Sequence, residues 1–363
     1  MGVYYPIYFI LKRREFMKKK LIMVLIVVLI IAVVPFSLSA KEITIKLAHL
    51  NAQKPFDIPS AAMAAAFKSA VEANSNGEIK VEIYPSGVLG KERETMVQVK
   101  SGVVQSYISS TGGMSTFYPM IDITNMPFAF SSYNVGYKVY DGDFGKAFAK
   151  DIEKKSGFHV LGFGESGGFF VITNSKREIR SPKDMKGIKI RTMTVPLHME
   201  IIKSLGGSPT PISWSEVYTS LQTGVVDGQM NPISIINMAK FYEVQKYATL
   251  TNHIYAPYIW VMNARFYNNL SPAHKAIIDD AARTAILAGR GLSRIIDSTD
   301  KGLPVLMSKM KVYVPTPAEM QQFKAATIPA ATKFLEKKYG KEGKMWIDKF
   351  LGAIAQAERE LGN

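Results

Sequence analysis

The 363-residue chain contains no cysteine. That single absence excludes structural disulfides, thiolate metal sites, a cysteine nucleophile and a lipid-modified N-terminal cysteine. Metal-binding spacing is missing as well. His49, His159 and His198 are isolated, with no H-E-x-x-H arrangement, so each reads as a packed or surface histidine and no metal or cofactor is expected; His253 and His274 lie downstream of Ser166, in an order that a hydrolase triad allows. No G-x-x-x-x-G-K-[ST] loop occurs and no G-x-G-x-x-G opens a helix, which leaves nucleotide binding without support. The basic residues are scattered singly, without a long run or an aromatic-studded basic motif, so a nucleic-acid partner is not indicated.

Long apolar runs are equally scarce. The one present, Leu21 to Val34, has 14 residues, short of the ~20 that a membrane-spanning helix needs. Lys18, Lys19 and Lys20 precede it, and Pro35 with the small residues Ser37, Ser39 and Ala40 follows. These are the three regions of a signal peptide, placing residues 1–40 in a leader with Met17 as the start and the rest of the chain in the periplasm or outside the cytoplasm. Retention as an uncleaved anchor is the alternative. The whole chain carries +15; residues 1–40 hold six Lys/Arg and one Asp/Glu, so the remainder has 39 basic against 29 acidic residues, a net +10. A mild preference for anions follows.

What is present is ordinary globular composition, 47% hydrophobic and 21% charged, with length enough for two cores. From Ile43 the pattern alternates strand and helix: a strand at Ile43–Leu50, a helix capped by Asp57 and running to about Asn74, strands at Ile79–Tyr84 and Val103–Ser109, and between them a helix opened by Gly90. Phe158–Gly162, Phe169–Thr173 and Ile188–Thr192 read as further strands and Val195–Leu205 as a helix, so the fold class is α/β. Ser271-Pro272, an N-cap followed by proline at the first helical position, opens a helical pattern to about Met310. At 39 residues it predicts an element roughly 58 Å long, longer than one domain of this size is wide. Thr316-Pro317-Ala318-Glu319 is a capping box, and a last helix spans about Lys341–Leu361.

Gly164-Glu165-Ser166-Gly167-Gly168 matches the G-x-S-x-G pattern of serine hydrolases, but a strand-like segment follows it where a nucleophile elbow needs a helix. A secreted hydrolase using Ser166 is kept as an alternative. Arg191 ends the strand Ile188-Lys189-Ile190-Arg191, where its guanidinium either clamps a carboxylate by two hydrogen bonds or faces solvent. Ser213-Trp214-Ser215-Glu216 is a second capping box, and Asn231-Pro232 reads as an N-cap and first helical residue. Helix N-termini attract anions, so Asn231 either faces a ligand or only caps.

The string Ser213-Trp214-Ser215-Glu216-Val217-Tyr218, continuing through Leu221-Gln222-Thr223-Gly224-Val225-Val226-Asp227-Gly228-Gln229 to Asn231-Pro232, resembles the substrate-binding proteins of TRAP transporters. So do Met185-Lys186-Gly187-Ile188-Lys189-Ile190-Arg191, Phe241-Tyr242-Glu243-Val244-Gln245-Lys246-Tyr247 and Thr251-Asn252-His253. The resemblance implies a two-domain, periplasmic-binding-protein-like fold, each domain a mixed β-sheet flanked by helices, with a long helix crossing both. On it, domain I comprises 41–168 plus 257–296 and domain II comprises 169–256 plus 297–363. It also implies a monomeric, non-enzymatic protein that closes on a small organic carboxylate and delivers it to a small and a large membrane subunit. A binding protein of an ATP-driven importer or a sensor is the alternative within the same physical class.

By position, Arg191 is similar to the arginine that pairs with the carboxylate, Asn231 to the asparagine that orients it and Trp214 to an aromatic lining residue. Asn51, Glu92 and Ser110 fall where family members contact the distal part of the ligand. Many members carry a second arginine about twenty residues before the first; Phe170-Val171 stands there in this chain. With Phe170 and Trp214 supplying apolar area, the expected ligand has one carboxylate and an apolar or aromatic remainder.

Overall fold

The computed structural model describes residues 12–21, 23 and 42–362. The chain divides into two units, Met1–Glu42 and Ile43–Asn363. In the first, residues 12–21 are helical and exposed; the leader assigned to residues 1–40 lies largely outside the described residues. Among the described residues no helix is long and apolar enough to cross a membrane.

The second unit is an α/β body. Strand β1 (Ile43–His49) is followed by α1 (Pro59–Asn74), β2 (Ile79–Tyr84), α2 (Glu92–Ser101), β3 (Ser106–Ser109) and the short α3 (Thr111–Ser115). β1 lies parallel to β2 and β3, with Ile43 opposite Ile79 and Leu47 opposite Ser106. Helices α4 (Tyr133–Asp141) and α5 (Asp143–Ser156) lead to β4 (Phe158–Asn174). β5 (Lys189–Thr192), α6 (Pro196–Ser204), β6 (Ser208–Pro211), α7 (Val217–Gln222), β7 (Gly228–Pro232), α8 (Ile233–Met238) and β8 (Tyr247–Thr249) come next. β9 (Tyr255–Asn263), α9 (Ala264–Asn268), α10 (Pro272–Asp297), α11 (Leu303–Lys309), β10 (Lys311–Tyr313) and α12 (Pro317–Leu361) complete the chain. The strand order is β2-β1-β3-β9-β4-β7-β5-β6, with β8 also on β4 and β10 on β8.

β4 ties the sheet together. Its residues 158–165 and Phe169 pair antiparallel with β9, whereas Phe170–Asn174 pair with β7 and Ile172–Asn174 with β8. The pattern predicted two strands here; the structure has one strand of 17 residues with register shifts at Val160/Gly162 and Glu165/Phe169. Gly167 and Gly168 hold φ of 109° and 108°, a region closed to most side chains, and a Cβ at Gly167 would lie 2.3 Å from Ser234 Oγ. The glycines of the hydrolase-like string therefore make a bulge within a strand. Ser166 is buried and donates to the Ala256 carbonyl at 2.6 Å, so the elbow geometry is absent and the hydrolase alternative fails.

Two helix starts differ from expectation. Ile58, extended ahead of Pro59, is the residue at the N-terminus of α1, because a residue before proline is held out of the helical region; Asp57 does not cap and instead meets Lys301 Nζ at 2.5 Å. The helix expected to reach Met310 ends at Asp297, and Pro304 lies in the first turn of a separate α11, where its missing N–H costs nothing. The 26 residues of α10 span about 39 Å, packing along α1 and β4 and touching α8. Ser271 caps it as expected, accepting from His274 N at 3.1 Å. The Thr316 box also forms, with Glu319 Oε2 accepting from Thr316 N at 2.8 Å. At Gly340 (φ 58°) α12 breaks into two helices.

Separate apolar clusters support the two ends of the sheet. Ile45, Leu47, Phe67, Trp260 and Ile278 pack together at one, with the Phe67 and Trp260 rings edge to face at 4.9 Å. Val171, Val217, Phe241 and Leu306 pack at the other. Phe144 and Phe148 on α5 meet Trp346 and Phe350, holding the last helix in place.

Candidate functional site

Of the residues singled out from sequence, Arg191, Trp214 and Asn231 lie at or just beyond the C-terminal ends of β5, β6 and β7, where open α/β sheets place ligands. Arg191 is opposite Gln229 in the β5/β7 register. Its side chain is 2% exposed, unlike Lys189 two residues earlier, which faces solvent. The Arg191 Nε donates to the Ile212 carbonyl at 2.9 Å, just beyond β6, while Nη1 is buried with no hydrogen-bond partner among the described residues. Burial pulls its pKa down to about 10, and the negative charge of Glu92 works against that shift. The guanidinium remains charged at neutral pH, and a buried charge needs an anion opposite it.

Asn231 is not a helix cap. It pairs with Val171 in the β4/β7 ladder, which keeps the backbone extended through Pro232, so α8 begins at Ile233 without a side-chain cap. The amide Nδ2 donates to Gln229 Oε1 at 2.5 Å, and Gln229 in turn donates to Thr173 Oγ1 at 2.9 Å. One N–H of Asn231 is thus used to fix the side chain, leaving the second. Phe170, opposite Pro232, is buried with its ring 6.1 Å from that of His198.

Trp214 follows β6 in a 3-10 turn and is half-buried, its ring 5.7 Å from that of Phe241. The capping box expected at Ser213 does not form: Ser213 makes no side-chain cap, and Glu216 reaches away to Lys91 Nζ at 2.7 Å.

Glu92 and Ser110 form a unit on the other side. Glu92, at the start of α2, accepts from the Ser110 backbone N–H at 2.7 Å and from Ser110 Oγ at 2.8 Å. Ser110 also caps α3, its Oγ accepting from Gly112 N and Gly113 N. A Cβ on Gly113 would lie 2.5 Å from Glu92 Cγ, so glycine there lets the carboxyl group lie against the turn. Burial raises the Glu92 pKa, with the Ser110 bonds and Arg191 opposing it. The chain just past Arg191 closes on the same turn, Thr194 Oγ1 donating to the Gly112 carbonyl at 3.1 Å.

Asn51 is buried after β1 and donates to Ser60 Oγ at 2.9 Å and Tyr258 OH at 3.0 Å. Burial pushes the Tyr258 pKa up to about 12, with Asn51 opposing and Glu92 adding to the rise. Tyr107 on β3 is buried, and its hydroxyl has no partner among the described residues; burial raises its pKa well above the ordinary value, and Glu92 and Tyr258 add to it. Tyr107 and Tyr258 were not singled out from sequence. Strand alternation on either side of Ser109 was the available signal for Tyr107, and β9 offered none for Tyr258.

His198 and His253 are packed histidines. His198 Nε2 bonds Asn125 Oδ1 at 2.9 Å, and His253 Nδ1 bonds Thr251 Oγ1 at 2.7 Å. Burial holds His198 well below its usual pKa, helped by the positive charges of His253 and Arg191, and pulls His253 down to about 4. Among the described residues no group of His, Asp and Glu is placed to hold a metal ion. A surface groove of about 590 Å³ between 242–247 and 307–311 contains none of these site residues.

Comparison with known proteins gives this geometry its family. Residues 52–338 match the family model described as bacterial extracellular solute-binding protein, family 7. A solute-binding protein of Verminephrobacter eiseniae is 37% identical over 275 residues, 76% of this chain and 80% of the relative. The sugar-acid-binding protein of Advenella mimigardefordensis, solved in complex with galactonate, superposes with a TM-score of 0.80 at 31% identity over 87% of this chain and 99% of its own. A TRAP periplasmic solute-binding protein of Sulfurospirillum deleyianum with bound succinate superposes with a TM-score of 0.77 at 29% identity, over 85% and 98%. The chain belongs to the family 7 extracellular solute-binding proteins, the two-domain α/β components of TRAP transporters that bind small organic acids, work with membrane subunits and are not enzymes.

Proposed function

We propose that this chain captures a monocarboxylate between its two domains and hands it to the small and large membrane subunits of a TRAP transporter, acting as a monomer outside the cytoplasm. The observation that carries the reading is Arg191, buried at the end of β5 with Nη1 unpartnered. A carboxylate set between Nη1 and the second N–H of Asn231 satisfies both donors, and a charge-assisted pair of this kind is the strong form of the interaction.

One carboxylate suffices because Phe170 and Val171 supply no second cation. The carbon skeleton then lies against Trp214, which offers apolar area, whereas Phe170 packs in the core on the other face of the sheet from Asn231. Domain I comprises 41–168 plus 257–296 and domain II 169–256 plus 297–363, and the boundary at 168/169 falls within the β4 bulge. Bending there and at β9 opens and shuts the cleft.

Native mass spectrometry of the exported form, before and after denaturation, is the direct test. Release of a monocarboxylate supports the reading. A protein that carries nothing, and whose melting temperature is unmoved by a panel of monocarboxylates, refutes it.

A further inference from the structure

We infer that Glu165 and Arg294 form a strut at the hinge: the pair holds the closed arrangement of the two domains and so sets the affinity for every ligand alike while touching none. This rests on the proposed two-domain closure, whose boundaries at 168/169 and 296/297 both fall at the pair. Glu165 is buried and is the last β4 residue paired with β9 before the bulge, opposite Pro257. Its Oε1 meets Arg294 Nη2 at 2.5 Å, and its Oε2 accepts from the Tyr137 hydroxyl and, at 3.3 Å, from the Tyr255 hydroxyl. Arg294 lies in the last turn of α10, where Nη2 also reaches Asp297 Oδ2 at 3.0 Å. Tyr133 closes the ring, its hydroxyl donating to Asp297 Oδ2 at 3.1 Å and its face carrying the guanidinium. One turn earlier, Arg290 anchors α10 through the Phe163 carbonyl at 2.9 Å and through two bonds to Asp141 of 2.6 and 2.9 Å. From the other domain, Ser234 on α8 donates to the Gly167 carbonyl at 2.9 Å. The bulge is thus gripped from both sides.

Such a strut contributes little to stability. Arg294 Nε and Nη1 are buried without hydrogen-bond partners among the described residues, and desolvation offsets the attraction within a buried ion pair. What the pair supplies is registry, because a charge-assisted bond of fixed geometry selects one placement of the end of α10 on the bulge. In the conformation described, that placement accompanies contact between the proposed domains across the cleft, Thr194 with Gly112 and Lys91 with Glu216. Opening turns β4 at Gly167 and Gly168 and turns α10 at its end, which misaligns the pair. The bond is therefore stronger in the closed form than in the open one, and a difference between two states is what shifts their populations.

The chain has no cysteine, so Val103→Cys and Val225→Cys, at exposed positions on domains I and II, take a donor and an acceptor dye, and energy transfer between them reads the closed fraction. Titrations with benzoate, pantoate, D-erythronate and succinate are followed by this signal in the labelled parent, in Glu165→Gln, in Arg294→Gln and in the two combined. Each single variant should lose about tenfold in affinity, by the same factor for every acid that the parent binds, with a smaller closed fraction at a fixed acid concentration. The combined variant should lose no more than the worse single, because the two groups act as one. Glu165→Leu with Arg294→Met leaves no buried charge unpaired and carries the same test where a single variant does not melt cooperatively.

Affinity and closed fraction unchanged in folded variants overturn the inference and leave the closure reading standing. A loss confined to some of the acids also overturns it, since a group that touches no ligand does not distinguish them. Failure of the closure reading looks different: the labelled parent then shows one transfer efficiency with every acid, and the strut falls with it.

Discussion

Replacing Arg191 by methionine, an unbranched apolar side chain, should separate binding from stability. In the complex the substitution leaves a desolvated ligand carboxylate without its cation, a loss of about 3–5 kcal/mol. At about 1.4 kcal/mol per tenfold, that is a fall in affinity of roughly 150- to 4,000-fold. The unliganded protein should respond in the opposite direction. Its folded state holds a guanidinium whose pKa burial draws down to about 10, a penalty on the charged form on the order of 3 kcal/mol. Methionine removes that penalty, and only the Ile212 carbonyl, losing its donor, takes back about 1 kcal/mol. Calorimetric titration should therefore show binding lost, while thermal melting without ligand shows a midpoint unchanged or a few degrees higher. Affinity within tenfold of the parent would refute the assignment. A midpoint several degrees lower would mean that the guanidinium is a structural strut, and the reasoning from its burial would be wrong.

Three other outcomes follow from the same geometry. His253, with its folded pKa near 4 against 6.5 in the unfolded chain, excludes a proton that the unfolded chain binds; its contribution is complete above pH 6.5 and is lost as pH falls toward 4, by up to about 3 kcal/mol. Urea melts across that window should be flatter in His253→Gln, with His198 accounting for the slope that remains. Lys91 and Glu216, 125 residues apart and each half-exposed, form a screened surface pair, so Lys91→Glu should weaken ligand binding modestly at low salt and less at high salt, and the double swap with Glu216→Lys should restore it. An unchanged affinity in Lys91→Glu would mean the pair contributes nothing to the bound form. Gly113→Ala places a Cβ where Glu92 Cγ and Cδ lie and should lower the melting midpoint by a few degrees; an unchanged midpoint would show that the carboxyl group is free to move.

The fold was legible wherever local chemistry decides it. β2 occupies Ile79–Tyr84 as read, β1 and α6 agree to within a residue at each end, and the Thr316 and Ser271 caps form. Asp57 fails for a local reason, since Pro59 holds Ile58 extended ahead of α1. Ser213 and Asn231 were also read as helix caps from a polar residue placed before the helix, and there a partner distant in sequence decides the outcome: Lys91 for the Glu216 that completes the Ser213 box, and Val171 for Asn231. β4 was divided in two for the same reason. Glycines at positive φ interrupt the alternation of side chains but not the ladder to β9 on either side of them.

At the site, a cation on a strand is an ambiguous local signal: it left Arg191 between a carboxylate clamp and a solvent-facing side chain, and the resemblance to the TRAP substrate-binding proteins decided between them. Its burial was not readable, because Lys189 on the same strand is exposed and the carbonyl that takes the Arg191 Nε comes from Ile212, beyond β6. Tyr107 and Tyr258 belong to β3 and β9, neighbours in the sheet although Ile108 and Trp260, which pair there, are far apart in sequence. No motif on either strand announces that the two tyrosines lie within electrostatic reach of Glu92. The absence of a second arginine carries information only once this arrangement is known. Val171 pairs with Asn231 across the β4/β7 ladder, so an arginine at 171 would stand beside the same carboxylate; with valine there, Arg191 and Asn231 carry its recognition in the proposed cleft.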